Sequence, residues 1–165
     1  MPEELSQLDN RVRNLETIGE NLYDVRIRKV VKDTQKGIIL KRRITMSSAQ
    51  IRALNSSALT IVPAYILSLI IIEGITARLN FNATAYTGAN NLEFRYTNGS
   101  GAKVTADMAN TFINSGSTAY NHVSGVATAV TPVLNTPIVA VVPTADPGTG
   151  DSTMDLFIEY RIVIF

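Results

Sequence analysis

Residues 153–164 set Met154, Leu156, Ile158, Tyr160, Ile162 and Ile164 in strict alternation with Thr153, Asp155, Phe157, Glu159, Arg161 and Val163. A period of two kept up over such a length belongs to a β-strand with one buried face and does not fit the 3.6-residue turn of a helix. The same period recurs where Ile75, Ala77, Leu79 and Phe81 alternate with Thr76, Arg78, Asn80 and Asn82. It returns where Leu92, Phe94 and Tyr96 alternate with Glu93 and Arg95. Residues 59–62, 65–73 and 138–142 are apolar, β-branched runs of strand type. Between them lie turn formers, of which Asn98-Gly99 is the strongest, predicting a type I′ turn with positive φ at both residues. Residues 105–113 are the exception: Met108, Phe112 and Ile113 have helical spacing, with Thr105 as the predicted cap. Many short strands punctuated by Gly, Asn and Pro predict an all-β chain, its body an antiparallel β-sandwich or jelly roll.

Charge divides the chain. Of 165 residues, 15 are Lys or Arg and 14 are Asp or Glu, a net charge of +1. Residues 1–52 hold 11 of the basic and 7 of the acidic residues, for +4; residues 53–165 hold 4 and 7, for −3. Only 11 of those last 113 residues are charged, well under the usual quarter. Residues 1–46 are therefore read as an arm and residues 47–165 as the body. Within the arm, Leu5, Leu8, Val12 and Leu15 follow a heptad a/d spacing that stops at Gly19. Two uses of that stripe stand open: packing of an amphipathic helix on the chain's own body, or a short coiled-coil seam between copies. Residues 23–46 then alternate as a hairpin around a turn at 32–37, with Arg26, Arg28, Lys41, Arg42 and Arg43 among its polar positions. Without aromatic interleaving or a nucleic-acid module, this basic ribbon is read as a protein contact, with no nucleic acid expected. Ser47-Ser48-Ala49-Gln50 has capping-box spacing and predicts a short helical turn ending at Asn55, which joins arm to body.

Several function classes are set aside. The chain has no Cys and one His, which leaves no thiol chemistry and no His/Cys metal cluster. His122 has no second His nearby, and Asp146, Asp151 and Asp155 flank a Gly/Pro turn without the spacing of a calcium loop. Glu93, Asp155 and Glu159 fall where alternation marks the solvent face. No phosphate-binding glycine motif occurs. Asn55, Asn82 and Asn98 match the glycosylation acceptor pattern, but the N-terminus has no secretory layout. The apolar run 58–72 falls short of the roughly 20 residues of a spanning helix and is read as strands, so no membrane is expected. No enzyme, cofactor or metal is expected.

Four stretches carry a resemblance. They are Ser48-Ala49-Gln50-Ile51-Arg52-Ala53-Leu54-Asn55, Leu59-Thr60-Ile61-Val62-Pro63-Ala64, Leu92-Glu93-Phe94-Arg95-Tyr96-Thr97-Asn98-Gly99-Ser100-Gly101, and residues 155–165. Through them residues 47–165 resemble small virion proteins of tailed bacteriophages, especially head decoration (cement) and head-fibre or tail-appendage modules. The resemblance implies a symmetric, trimeric all-β module that is assembled in the host bacterial cytoplasm and acts by binding on the virion. Its partners would be copies of itself and the major capsid protein or another virion protein. On that reading Leu5, Leu8, Val12 and Leu15 form the oligomer seam, while Arg26, Arg28, Lys41, Arg42 and Arg43 touch the virion. Two rivals remain: a receptor- or glycan-binding appendage using Tyr86 and Tyr120, and a glycan-processing hydrolase using His122 and Asp151.

Overall fold

The closing alternation forms the long strand at the centre of the fold. The structure, a computed structural model, describes residues 39–125 and 131–165. Leu5, Leu8, Val12, Leu15, Arg26, Arg28 and the first strand of the arm's hairpin lie outside the described residues. The strands are β1 (Leu40–Met46), β2 (Leu59–Val62), β3 (Ser68–Asn80), β4 (Glu93–Tyr96), β5 (Ala119–Ser124), β6 (Ile138–Val141) and β7 (Thr153–Ile164). Two short helices, α1 (Ser48–Arg52) and α2 (Asn110–Ile113), interrupt them. The strands form two antiparallel sheets, ordered β1-β7-β3-β5 and β2-β6-β4.

The pairings nest. The first strand pairs with the last, β2 with β6, and β3 with β5. Innermost, residues 102–108 run beside β4 through the bridges Leu92↔Met108 and Arg95↔Lys103. Two backbone bonds reinforce them, Val104 N–H to Phe94 C=O at 2.8 Å and Tyr96 N–H to Ala102 C=O at 3.0 Å. The chain is thus paired as one long hairpin ribbon. Pairing of β3 with β7 and of β4 with β6 joins the ribbon's turns into the two sheets.

Both sheets feed one hydrophobic core. Ile70, Ile75, Leu79, Met154, Leu156 and Ile158 enter from the larger sheet; Ile61, Phe94, Ile138 and Ala140 enter from the smaller. Each such aliphatic or aromatic side chain contributes about 1.5–3 kcal/mol on burial. In β3 the inward set changes parity, from Ile70 and Ile72 to Ile75, Ala77 and Leu79. A β-bulge between Ile72 and Gly74 absorbs the extra residue, so both sets face inward.

The capping box forms as predicted: the Gln50 N–H reaches Ser47 Oγ at 3.3 Å, and the Ser47 N–H reaches Gln50 Oε1 at 2.9 Å. The run 58–72 holds β2 and the start of β3, and no helix among the described residues is long and apolar enough to cross a membrane.

Three expectations change. Residues 40–46, assigned by sequence to the arm, form β1 on the body's larger sheet, paired from Leu40↔Tyr160 to Met46↔Met154. Local turn signals reveal only local partners, and this partner lies at the far end of the chain. The predicted helix over 105–113 shrinks to Asn110–Ile113, because Met108 and its predecessors satisfy their backbone groups along β4 instead. At Asn98-Gly99 the chain does turn, but the positive φ, 67°, falls on Thr97, so the turn is not type I′.

Candidate binding surface

The outer face of the larger sheet collects polar, cationic and aromatic side chains in rows set by the strand register. Arg43, Phe157, Thr76 and His122 form one row across β1, β7, β3 and β5. Thr45, Asp155, Arg78 and Tyr120 form the row on one side, and Lys41, Glu159, Gly74 and Ser124 the row on the other. The intervening residues of β3, Ile75, Ala77 and Leu79, point to the core, so alternation alone puts this set outside.

Two aromatic rings stand proud of this face. Phe157 is 42% exposed and Tyr120 is 69% exposed. Each lies under a guanidinium: Arg43 is 5.3 Å from the Phe157 ring centre and Arg78 is 5.7 Å from that of Tyr120. Such cation–π contacts hold long arginine side chains flat against a ring and so lower the entropy lost when a partner arrives. On this face Lys41, Arg43, Arg78 and Arg161 stand against Glu73, Asp155 and Glu159, a balance of one positive charge, while Arg42, opposite the buried Ile158, belongs to the other side of β1. A shallow groove lined by Lys41, Arg42, Arg43, Phe157 and Glu159 follows the β1 edge.

Charge on this face is braced. Lys41 Nζ sits 2.9 Å from a Glu159 carboxylate oxygen. That hydrogen-bonded pair lowers the Glu159 pKa and raises that of Lys41. Asp155 is only 5% exposed. Its carboxylate accepts bonds from the Thr45 hydroxyl at 2.5 Å and the Asn80 amide at 3.1 Å, with Arg43 at 3.3 Å. Those partners, Thr45 first, hold its pKa below the usual carboxylate range. Alternation assigns Asp155 and Glu93 to solvent, and the structure buries both. Glu93, also 5% exposed, is enclosed by Arg95 and by Lys103 Nζ at 2.8 Å. A buried carboxylate persists where several donors converge on it, which a period-two pattern does not reveal.

The remaining candidates separate. Tyr86 is 1% exposed and its hydroxyl donates to the Ser152 carbonyl at 2.5 Å, with burial pushing its pKa up to about 12. It is a core residue and offers no glycan platform. Nδ1 of His122 lies 2.9 Å from the Thr76 hydroxyl. The Asp151 carboxylate instead accepts the N–H groups of Ala83 at 3.1 Å and Thr84 at 2.9 Å, together with the Asn82 amide at 2.8 Å. The structure therefore ties the two residues required for a hydrolase to different segments. Asp146 holds a loop in the same way, accepting from the N–H groups of Asn55 and Ser56.

These carboxylates predict an acid limb to stability. Asp146, Asp151 and Asp155 are lowered chiefly by hydrogen bonds from Ser56, Thr84 and Thr45 respectively, and Glu159 by Lys41. Depressed folded-state pKa values mean that the unfolded chain takes up protons first as pH falls through about 4. Their contribution is fully present above that range and lost below it. Melting temperature is expected to hold from pH 7 to about 5 and then to drop steadily toward pH 3. A melting temperature constant down to pH 3 would contradict the assigned bonds.

No family model matches the chain, and no curated protein matches it. Among solved structures it is similar to a chain of the cyanophage Pam1 capsid asymmetric unit, with 15% identity over 75% of this chain and 83% of that one, at a TM-score of 0.44. It is also similar to a chain of the capsid of Ralstonia phage GP4, with 15% identity over 76% of this chain and 84% of that one, at a TM-score of 0.42.

Proposed function

We propose that the protein is a virion structural protein, a decoration (cement) protein that binds a phage head shell as a symmetric oligomer. The outer face of the larger sheet, with Phe157 under Arg43 and Tyr120 under Arg78, is the observation that carries this reading. Exposed aromatics and arginines are the residue types that anchor protein interfaces. A face basic on balance fits an acidic region of the shell, where complementary charge sets approach and register. Lys41, Arg42 and Arg43 serve as virion contacts from β1, and Arg26 and Arg28, outside the described residues, are proposed as further contacts.

The nested pairing supports a jelly roll as the body's fold. Counting residues 102–108 as a strand, the sheets run first-eighth-third-sixth and second-seventh-fourth-fifth, the order obtained by rolling one hairpin ribbon. Jelly rolls are a recurrent architecture of viral shell proteins, so the order favours a virion role by analogy of fold. The arm stripe Leu5, Leu8, Val12 and Leu15 closes the oligomer as a seam, for which a trimer is the expected state.

Cosedimentation with purified heads lacking decoration tests the function. Arg43→Ala combined with Phe157→Ala is expected to weaken shell binding at least tenfold, while Thr60→Ala on β2 leaves it unchanged. Equal binding by the double variant and the native chain would sink the sheet face as the contact. Tyr120, exposed beside Arg78, favours a second reading as a glycan-binding appendage. Glycan-array signal lost in Tyr120→Ala, without any head binding, would select it.

A further inference from the structure

One end of the β3–β7 pair carries an apolar surface that the proposed shell contact does not use. Ile66, Leu67, Val133, Leu134, Ile164 and Phe165 are 87, 60, 39, 50, 48 and 73% exposed. Backbone bonds gather them: the Phe165 N–H reaches the Leu67 carbonyl at 3.0 Å, and the Asn135 N–H reaches the Ser68 carbonyl at 3.0 Å. Ser68 in turn pairs with Ile164. The loop before β3, the loop before β6 and the end of β7 therefore form one tip.

We infer that this tip is a self-association surface, on which copies of the chain meet tip to tip around a symmetry axis. Three observations commit it to a second copy. The six residues expose roughly 600–700 Å² of surface, main chain included, at the top of the 300–600 Å² range of the largest apolar patch on a typical monomer and approaching the ~800 Å² each partner contributes to a stable interface. No residue in 63–72, 131–145 or 162–165 carries a charged side chain, so no like-charged side chains face each other when the surface meets its own image. Leu67 is displayed at φ 52°, a left-handed conformation uncommon for a bulky residue. The Ser68 hydroxyl bond to the Tyr65 carbonyl and the Phe165 bond to Leu67 keep the backbone there, holding an apolar side chain in water at a cost in strain.

The inference rests on the symmetric oligomer proposed above; its test needs no shell, so its failure leaves shell binding itself to be decided by cosedimentation. Sedimentation of the full chain is expected to show an oligomer at tens of micromolar. Ile66→Lys with Phe165→Lys is expected to weaken association at least tenfold with an unchanged circular dichroism spectrum. Leu67→Gly, which glycine's tolerance of positive φ makes safe for folding, should also weaken it. The chain has no native thiol, so Ile66→Cys introduces a single reporter. Under mild oxidation it is expected to give a covalent dimer, whereas Thr60→Cys is not. A monomeric native chain, or Ile66→Cys that does not cross-link, would overturn the inference whatever the charge variants do. Cross-linking with association unweakened in Leu67→Gly and in the folded lysine variant would overturn the tip as the contact that holds the copies together.

Discussion

Gly101→Ala is expected to cost at least about 3 kcal/mol and to leave most of the protein insoluble on expression, by steric overpacking against backbone. A Cβ at this position would stand 1.7 Å from the Tyr96 carbonyl oxygen. The obstacle is main chain, so no rotamer change relieves it. The turn is also closed on itself: the Asn98 N–H bonds the Tyr96 carbonyl at 2.7 Å and the Gly101 N–H bonds the Asn98 carbonyl at 3.1 Å. Opening it would draw β4 away from residues 102–108 and unseat Phe94, which is fully buried. Two neighbouring glycines serve as controls. At Gly99 a Cβ would meet a Val141 methyl at 3.2 Å, a side chain able to yield, and at Gly116 it would meet nothing within 4 Å. Urea midpoints are expected to rank Gly116→Ala near native, Gly99→Ala slightly below, and Gly101→Ala far below. A Gly101→Ala midpoint equal to that of Gly116→Ala would refute the turn geometry.

Asp155→Ala is expected to lower stability by about 2–3 kcal/mol, the range for removing a buried charged acceptor from its donors. The loss reaches three strands, because this one carboxylate joins Thr45 and Arg43 of β1 to Asn80 of β3 across β7. Asp155→Asn keeps an acceptor oxygen for Thr45 but drops the charge facing Arg43, and is expected to lose about half as much. The pH response separates charge from packing. Both variants should show a shallower fall in melting temperature below pH 5 than the native chain, since neither has a depressed carboxyl to protonate at this site. Parallel native and variant curves would show that Asp155 contributes by shape alone.

Much of the larger sheet was readable from side-chain period. The alternation at 153–164 maps onto β7 and that at 75–79 onto the second half of β3, but the bulge at Glu73-Gly74 was not visible, because Ile70, Ile71 and Ile72 are all apolar and show no parity. The Ser47/Gln50 cap was equally local and equally visible. Partnership was not visible. Leu40–Met46 alternates as any strand does, and only the folded chain shows it lying against Thr153–Ile164. The binding face was half legible for the same reason: Lys41, Arg42 and Arg43 stand out as a basic cluster, but Phe157, Arg78 and Tyr120 join them through register between distant strands. Phe157 and Tyr120 differ from core aromatics such as Phe94 and Tyr86 only in the parity of their position and in what lies above them. Glu93 and Asp155 misled because a buried carboxylate and a solvated one occupy the same place in an alternating pattern until their donors are known.

The pairing of Leu40 with Tyr160 also governs how the protein is made. During synthesis β1 leaves the ribosome well before its partner: at about 5–20 residues per second, Tyr160 follows Leu40 by roughly 6–24 s. Throughout that interval residues 40–46 are an unsatisfied strand, able to pair with the same strand of a neighbouring nascent chain on a polysome. Lys41-Arg42-Arg43 makes such pairing repulsive, as edge charges do in finished sheets. The cations proposed for the virion contact would thus also oppose pairing between newborn chains until the last strand arrives.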